Sequence, residues 1–194
     1  MFRGAEDWNR IYAEEPRPGW DMDGPTPLLD ELLAERPLAS GVSIAVPGCG
    51  FGHDAAELAR RGFAITAFDI APLAIKGARA RYGEAVAWRL EDWFASEAGP
   101  FEAVFDHTCF VAMEPARREE YAAATFARLA PGGLWLGVAF HDTGDRTGPP
   151  FAIQSDAMGD LIRVSGFALL MLREAAASHP RRAGREFLWI ARRM

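Results

Sequence analysis

Val46-Pro47-Gly48-Cys49-Gly50-Phe51-Gly52-His53-Asp54 is the stretch on which the fold turns. An apolar run, Val42 to Val46, precedes it, and a helical pattern, Asp54 to Arg61, follows. The run reads as a buried strand, so the glycines occupy a strand-to-helix turn. Glycine lets the backbone turn sharply and approach a ligand closely, and a helix N-terminus offers unpaired N–H groups. Turns of this kind hold nucleotide-like ligands in α/β proteins. The dinucleotide fingerprint is G-x-G-x-x-G, and its third glycine would fall at His53. The pattern is G-x-G-x-G instead, which disfavours a nicotinamide-linked oxidoreductase.

Outward from the loop, strand and helix patterns alternate. Strands are expected at Val42–Val46, Ala64–Asp69, Val86–Leu90, Ala103–Phe105, Leu134–Phe140, Phe167–Leu172 and Glu186–Ala191. Helices are expected at Leu28–Ala34, Asp54–Arg61, Pro72–Tyr82, about Pro115–Leu129 and Ser155–Ser165. Pro131-Gly132-Gly133 reads as a turn into the fifth strand. The alternation predicts an α/β fold: a Rossmann-like, seven-stranded, mostly parallel sheet with an antiparallel last strand and helices on both faces. Residues 1–27 differ. They carry Trp8, Tyr12 and Trp20 with Pro16, Pro18, Pro25 and Pro27, and read as a short helix followed by an irregular aromatic segment.

Bulk properties narrow the class. The chain has 194 residues, enough for one domain with a sizeable core. Apolar residues make up 49% and charged residues 25%, an ordinary globular balance. A net charge of −6 repels phosphate backbones, so nucleic acid is not expected as a partner. No apolar run reaches the ~18 residues of a membrane span. Met1 to Asp7 lacks the apolar segment of a signal peptide. Two cysteines, Cys49 and Cys109, are too few for a disulfide framework. The expectation is a single-domain cytoplasmic enzyme, a monomer or weak homodimer, acting on a small molecule.

Acids stand where the strands end. Asp69 closes the second strand, where a carboxylate accepts hydrogen bonds from ribose hydroxyls. Glu91-Asp92-Trp93 closes the third, an acid pair and a ring suited to the adenine end of a cofactor. Asp106 closes the fourth, beside the expected methionine end. A turn, cap or solvated-loop role is the plain alternative for each. Together with the G-x-G-x-G loop they point to S-adenosyl-L-methionine, with Trp20, Pro47, Gly48, Cys49, Gly50, Gly52, Asp54, Asp69, Ile70, Glu91, Asp92, Trp93 and Asp106 as candidate cofactor contacts.

These residues carry a resemblance. W-N (8–9), G-W-D (19–21), P-T-P-L-L (25–29), the loop itself (46–54), F-D-I-A-P (68–72), E-D-W-F (91–94), F-D-H-T-C-F (105–110), E-P-x-x-R (114–118), L-A-P-G-G (129–133), G-P-P-F (148–151) and R-x-G-R-E (182–186) resemble the thiopurine S-methyltransferase family. That family includes thiol and halide methyltransferases and bacterial relatives linked to selenium and tellurium methylation. The resemblance implies the class I methyltransferase fold. Val46 stands where most methyltransferases carry an acid, but this family is apolar there too. Ala71 replaces a usual serine, His107 a common tyrosine and Cys109 a common phenylalanine.

The implied reaction is methyl transfer by direct in-line displacement to a small soft nucleophile: a thiol, bisulfide or halide. Such a nucleophile needs approximation and dehydration more than a base. Methylation of selenium or tellurium compounds is the alternative acceptor chemistry, and a non-catalytic S-adenosylmethionine-binding module the alternative class. The resemblance also implies that residues 1–27 form a lid, with pinning of the N-terminus as the plain alternative. Trp8, Tyr12, Cys109, Phe110, Phe151 and Arg185 are candidate acceptor contacts. His107 and Tyr121 are candidate catalytic groups, His107 as a base or as a carbonyl-binding structural residue. Arg185 with Glu186 reads equally as a salt bridge. His141-Asp142 lacks further ligands in sequence, so no metal is expected.

Overall fold

The computed structural model describes residues 4–144 and 147–194, so the first three residues of the 1–27 segment lie outside the description. In chain order the elements are α1 (Ala5–Glu14), α2 (Leu28–Glu35), β1 (Ser43–Pro47), α3 (His53–Arg60), β2 (Ala64–Asp69), α4 (Pro72–Tyr82) and β3 (Ala87–Leu90). Then come β4 (Phe101–His107), α5 (Cys109–Ala112), a 3₁₀ turn at Pro115–Arg117, α6 (Arg118–Arg128), β5 (Leu129–Phe140), α7 (Ser155–Val164), β6 (Phe167–Glu174) and β7 (Glu186–Arg193).

The strands form one sheet in the order β3-β2-β1-β4-β5-β7-β6. The first five are parallel, with Val46 of β1 beside Ala67 of β2 and Ala45 beside Val104 of β4. β7 runs antiparallel to both neighbours, as expected. The order reverses between β1 and β4. Connections leave the carboxyl ends of those two strands in opposite directions and open a crevice there.

Period-two alternation divides the interior into two layers. Ile44 and Val46 of β1, Leu136 and Val138 of β5 and Leu188 and Ile190 of β7 face one layer, which Leu28, Leu29 and Leu32 of α2 and Leu58 of α3 complete. Ala45, Val104, Trp135 and Trp189 face the other, filled by Tyr121 of α6 and Met158 and Ile162 of α7. Strands buried on both faces are why the sequence shows continuous apolar runs there rather than a clean alternation.

Three expected boundaries moved. β4 extends from Phe101 to His107, so Asp106 and His107 are strand residues rather than loop residues. The segment that reads as one helix from Pro115 to Leu129 is a 3₁₀ turn and then α6. Pro131-Gly132-Gly133 lies within the span of β5, where the register against β4 shifts between Phe101 and Ala103. The single turn of α5 has too few residues to show a helical period.

Candidate active site

The glycine loop joins β1 to α3 at the switch point. Gly48, Gly50 and Gly52 all take positive φ, at 59°, 55° and 81°. A Cβ on Gly48 would stand 2.5 Å from the Cys109 sulfur, and one on Gly52 would stand 2.4 Å from the Trp88 ring. Both positions therefore need glycine for space as well as for backbone angle. The loop is tied to β2 by Asp69. The Gly50 N–H donates to one of its oxygens and the Ala71 N–H to the other, each at 2.9 Å. Burial pushes the Asp69 carboxyl up, and the amides of Ala71, Gly50 and Ile70 work against that.

One cleft collects most of the expected residues. Its floor holds Pro47, Gly48, Cys49, Gly50 and Asp54. Asp69, Ile70, Glu91, Asp92 and Trp93 form one flank. Trp8, Tyr12, Trp20, His107, Cys109 and Tyr121 complete the wall.

Five expected contacts fall elsewhere. Gly52 is the left-handed residue that caps α3 over Trp88 and does not line the cleft. Asp106 is fully buried: it accepts the Tyr121 hydroxyl at 2.6 Å and the Phe110 N–H at 3.1 Å. Alternation explains it, because Asp106 faces the α6 layer while His107 faces α3. Phe110 is a core residue packed on Tyr121, Trp135 and Trp189. Phe151 is held by its backbone to Val111 and Arg118, and its neighbours Pro149 and Pro150 take the wall position. Arg185 donates to the Arg181 carbonyl outside the cleft. Arg182 lines the cleft instead, and it is Arg182 that pairs with Glu186, at 3.2 Å.

The N-terminal segment lines part of this cleft. Trp20 meets Trp8 edge-on at 5.5 Å and Tyr12 at 5.6 Å, and Tyr12 meets Phe51 of the glycine loop at 5.0 Å. Polar bonds fasten it: the Leu73 N–H to Asn9 at 2.9 Å, the Thr26 N–H to Asp54 at 2.7 Å and Arg182 to the Trp20 carbonyl at 2.8 Å. His53 adds a bond to Asp21 at 3.1 Å and one to Tyr82 at 2.6 Å. Asp21, Thr26 and Arg182 stand within the quoted motifs 19–21, 25–29 and 182–186, but no site role is legible for them in the sequence, because each gains it through a partner distant in the chain.

His107 sits between two charged groups rather than on a carbonyl. Its Nδ1 is 2.7 Å from Asp54 and its Nε2 is 2.8 Å from Arg182. Burial works to raise the Asp54 carboxyl, but the His107 ring and the Thr26 amide outweigh it and hold the group below its ordinary value. Burial pushes both thiols well up, with Asp69 adding to the effect at Cys49 and Asp106 at Cys109. They are thiols, not thiolates, and hence poor nucleophiles. Burial, with Asp106 beside it, likewise pushes Tyr121 well above the usual phenol value. Burial lifts Asp106 itself to about 6, against the Tyr121 and Phe110 hydrogen bonds. His141 faces Glu174 at 3.1 Å, and among the described residues no group of three His, Cys, Asp or Glu could hold a metal ion. Nor is any described helix long and apolar enough to cross a membrane.

A sheet of this order, with a glycine loop leaving β1 at the switch point and an acid at the end of the neighbouring β2 bonded to that loop, defines a class I S-adenosylmethionine-dependent methyltransferase. The chain belongs to the thiopurine S-methyltransferase family, whose model matches residues 3–186. Thiocyanate methyltransferase 1 of Arabidopsis thaliana is 30% identical over 189 residues, covering 93% of this chain and 82% of that protein. A thiopurine S-methyltransferase of Photobacterium profundum is 25% identical over 195 residues, covering 92% and 91%. In fold, the chain resembles Burkholderia thailandensis 1,6-didemethyltoxoflavin-N1-methyltransferase, solved with 1,6-didemethyltoxoflavin and S-adenosylhomocysteine. The TM-score is 0.76 at 19% identity, covering 100% of this chain and 92% of that one. The protein is an S-adenosylmethionine-dependent small-molecule methyltransferase.

Proposed function

We propose that the protein methylates a small thiol or bisulfide in the cleft beneath its N-terminal segment, with a halide as a poorer acceptor. The observation that carries this reading is the character of the cleft above the glycine loop. Trp8, Tyr12, Trp20, Cys109, Met113 and Pro149 give that part a largely aromatic and apolar lining, with its polar groups gathered at His107 and Arg182. Such a wall strips water from a soft, weakly hydrated nucleophile at little cost, whereas an alcohol or amine would leave its hydrogen bonds behind. The names of the thiocyanate, thiol and thiopurine methyltransferases among its relatives agree with sulfur as the receiving atom.

The residues present fit the cofactor. The glycine loop lines the cleft with backbone, and Asp69, held by the Gly50 and Ala71 amides, lines it as well. Asp69 would take the ribose hydroxyls, and Glu91, Asp92 and Trp93 the adenine end. Tyr12 lies close against Gly50, where a Cβ would come within 3.1 Å of its hydroxyl, so it borders both the loop and the acceptor space. When bound, S-adenosylmethionine supplies a methyl group already activated by a positively charged sulfur. The chain's own work is to bind, to hold the acceptor close and to keep water out, contributions worth up to ~7–11 kcal/mol in favourable cases.

An acceptor panel tests the reading, scored as S-adenosylhomocysteine formed. Thiols and bisulfide should be turned over, halides more slowly. Turnover confined to oxygen or nitrogen acceptors would refute it, as would cofactor binding with no acceptor used. Turnover of selenium or tellurium compounds in preference to thiols would move the assignment to that chemistry.

A further inference from the structure

Arg182 is a buried cation, 6% exposed, in the wall of the acceptor space. It comes from the connection between β6 and β7, and three fixed groups hold it. One Nη donates to His107 Nε2 at 2.8 Å and to Glu186 at 3.2 Å, and the other donates to the Trp20 carbonyl at 2.8 Å. A guanidinium only donates, so His107 Nε2 must accept. The ring hydrogen of His107 then sits on Nδ1 and donates to Asp54 at 2.7 Å. Both ring nitrogens are thereby engaged, and His107 has no lone pair left for a proton from the acceptor.

Arg182 still has donors to spare. Its Nε–H and its second Nη2 hydrogen make no hydrogen bond among the described residues, although the guanidinium lies 5.3 Å over the Phe140 ring of the same cleft. The charged or titratable groups around it are Glu186 on β7, Asp54 on α3, His107 on β4 and His179 of its own connection.

We infer that Arg182 is the subsite for the negative charge of the acceptor, and that His107 with Asp54 positions Arg182 rather than acting as a base. This rests on the function proposed above and narrows its substrate class. The acceptor arrives already ionised, as an acidic thiol, bisulfide or another soft anion. Thiols that stay protonated at the working pH are selected against. Because Arg182 also holds the Trp20 carbonyl, the same side chain that meets the anion fastens the segment covering it.

The test begins without turnover. Sodium thiocyanate is titrated calorimetrically into the S-adenosylhomocysteine-loaded protein and into Arg182→Gln. Arg182→Gln should weaken thiocyanate binding roughly 10- to 100-fold, the effect of losing hydrogen bonds to a charged group, while S-adenosylhomocysteine affinity holds. Thiocyanate binding equal to the wild type would overturn the assignment and leave Arg182 a fastening for the N-terminus. Arg182→Lys keeps a cation beside Glu186, so it answers the same question if the glutamine variant does not fold; its loss should be smaller but still evident.

Turnover then separates positioning from base catalysis. With an aryl and an alkyl thiol as acceptors, the kcat/KM–pH profile should shift with the ionisation of each thiol. In His107→Gln, whose amide can still accept from Arg182, the midpoints should still follow the ionisation of each thiol. A midpoint common to both thiols and abolished in His107→Gln would make His107 the base and sink the inference. If neither thiol nor bisulfide is methylated, the proposed function fails, yet the thiocyanate titration still decides Arg182.

Discussion

Asp106 and His107 are adjacent in β4 but serve opposite layers. Asp106 turns toward α6, where Tyr121 and the Phe110 amide bind it in full burial, and His107 turns toward Asp54 of α3. Their effects on stability are correspondingly separate. Burial raises the Asp106 carboxyl to about 6, above its unfolded value. The folded state therefore holds this proton more tightly, and the stability it brings is complete below the unfolded value and lost as pH rises through the folded one. Asp106→Asn keeps the shape without the charge. Between about pH 4 and 7 it should gain about 2 kcal/mol relative to the wild type, read from denaturant melts at the two pH values. A stability difference independent of pH would contradict the raised value. Asp69 offers a second test at this scale. Asp69→Ala should weaken S-adenosylhomocysteine binding by ~1–3 kcal/mol, the worth of hydrogen bonds to a charged group, in a calorimetric titration. Unchanged affinity would remove Asp69 from the ribose position.

The start of α3 depends on left-handed backbone at Gly52, with the Trp88 ring where a side chain would begin. Gly52→Ala should cost about 3 kcal/mol in a urea melt, combining left-handed strain with overpacking against a buried ring. A loss below about 1 kcal/mol would mean that Trp88 yields easily. The N-terminal segment is the other element whose role can be measured. Its rings meet edge-on, an arrangement worth about 0.5–1.5 kcal/mol per pair beyond area burial. As a cover over the acceptor, it should make Trp20→Ala lower turnover more than cofactor affinity. Wild-type turnover with a lowered melting temperature would reduce it to a clamp on the chain's beginning. The elements themselves were largely legible, because buried parallel strands and proline-led helices leave strong local signals. The end of β4 was not. An acid and a histidine after an apolar run look like the start of a loop, and only pairing with β5 carries the strand through them.

Across the whole molecule, the cleft draws on β1, β2, β4 and β5, the loop after β3, the N-terminal segment and the β6–β7 connection, so a ligand there ties together parts far apart in the chain. Binding to the folded state alone stabilises it by about 2.7 kcal/mol at a hundred times Kd, which for a chain of this length is roughly 5–10 °C in Tm. S-adenosylhomocysteine should produce that shift in thermal unfolding and NADH should not; a shift with NADH would contradict the cofactor assignment.

The sequence alone determined the sheet, its glycine loop, the cofactor and the family, because these rest on local patterns: apolar runs, glycine spacing and acids at strand ends. Only the tertiary structure decided which polar residues meet. It moved the cleft arginine from Arg185 to Arg182, retired Asp106, Phe110 and Phe151 to packing or backbone roles, and joined Thr26, Asp54, His107 and Arg182 into one network. The reason is physical. A side chain's chemistry is set by what it faces, and a residue's facing follows from strand register and loop path, which depend on partners dozens of positions away.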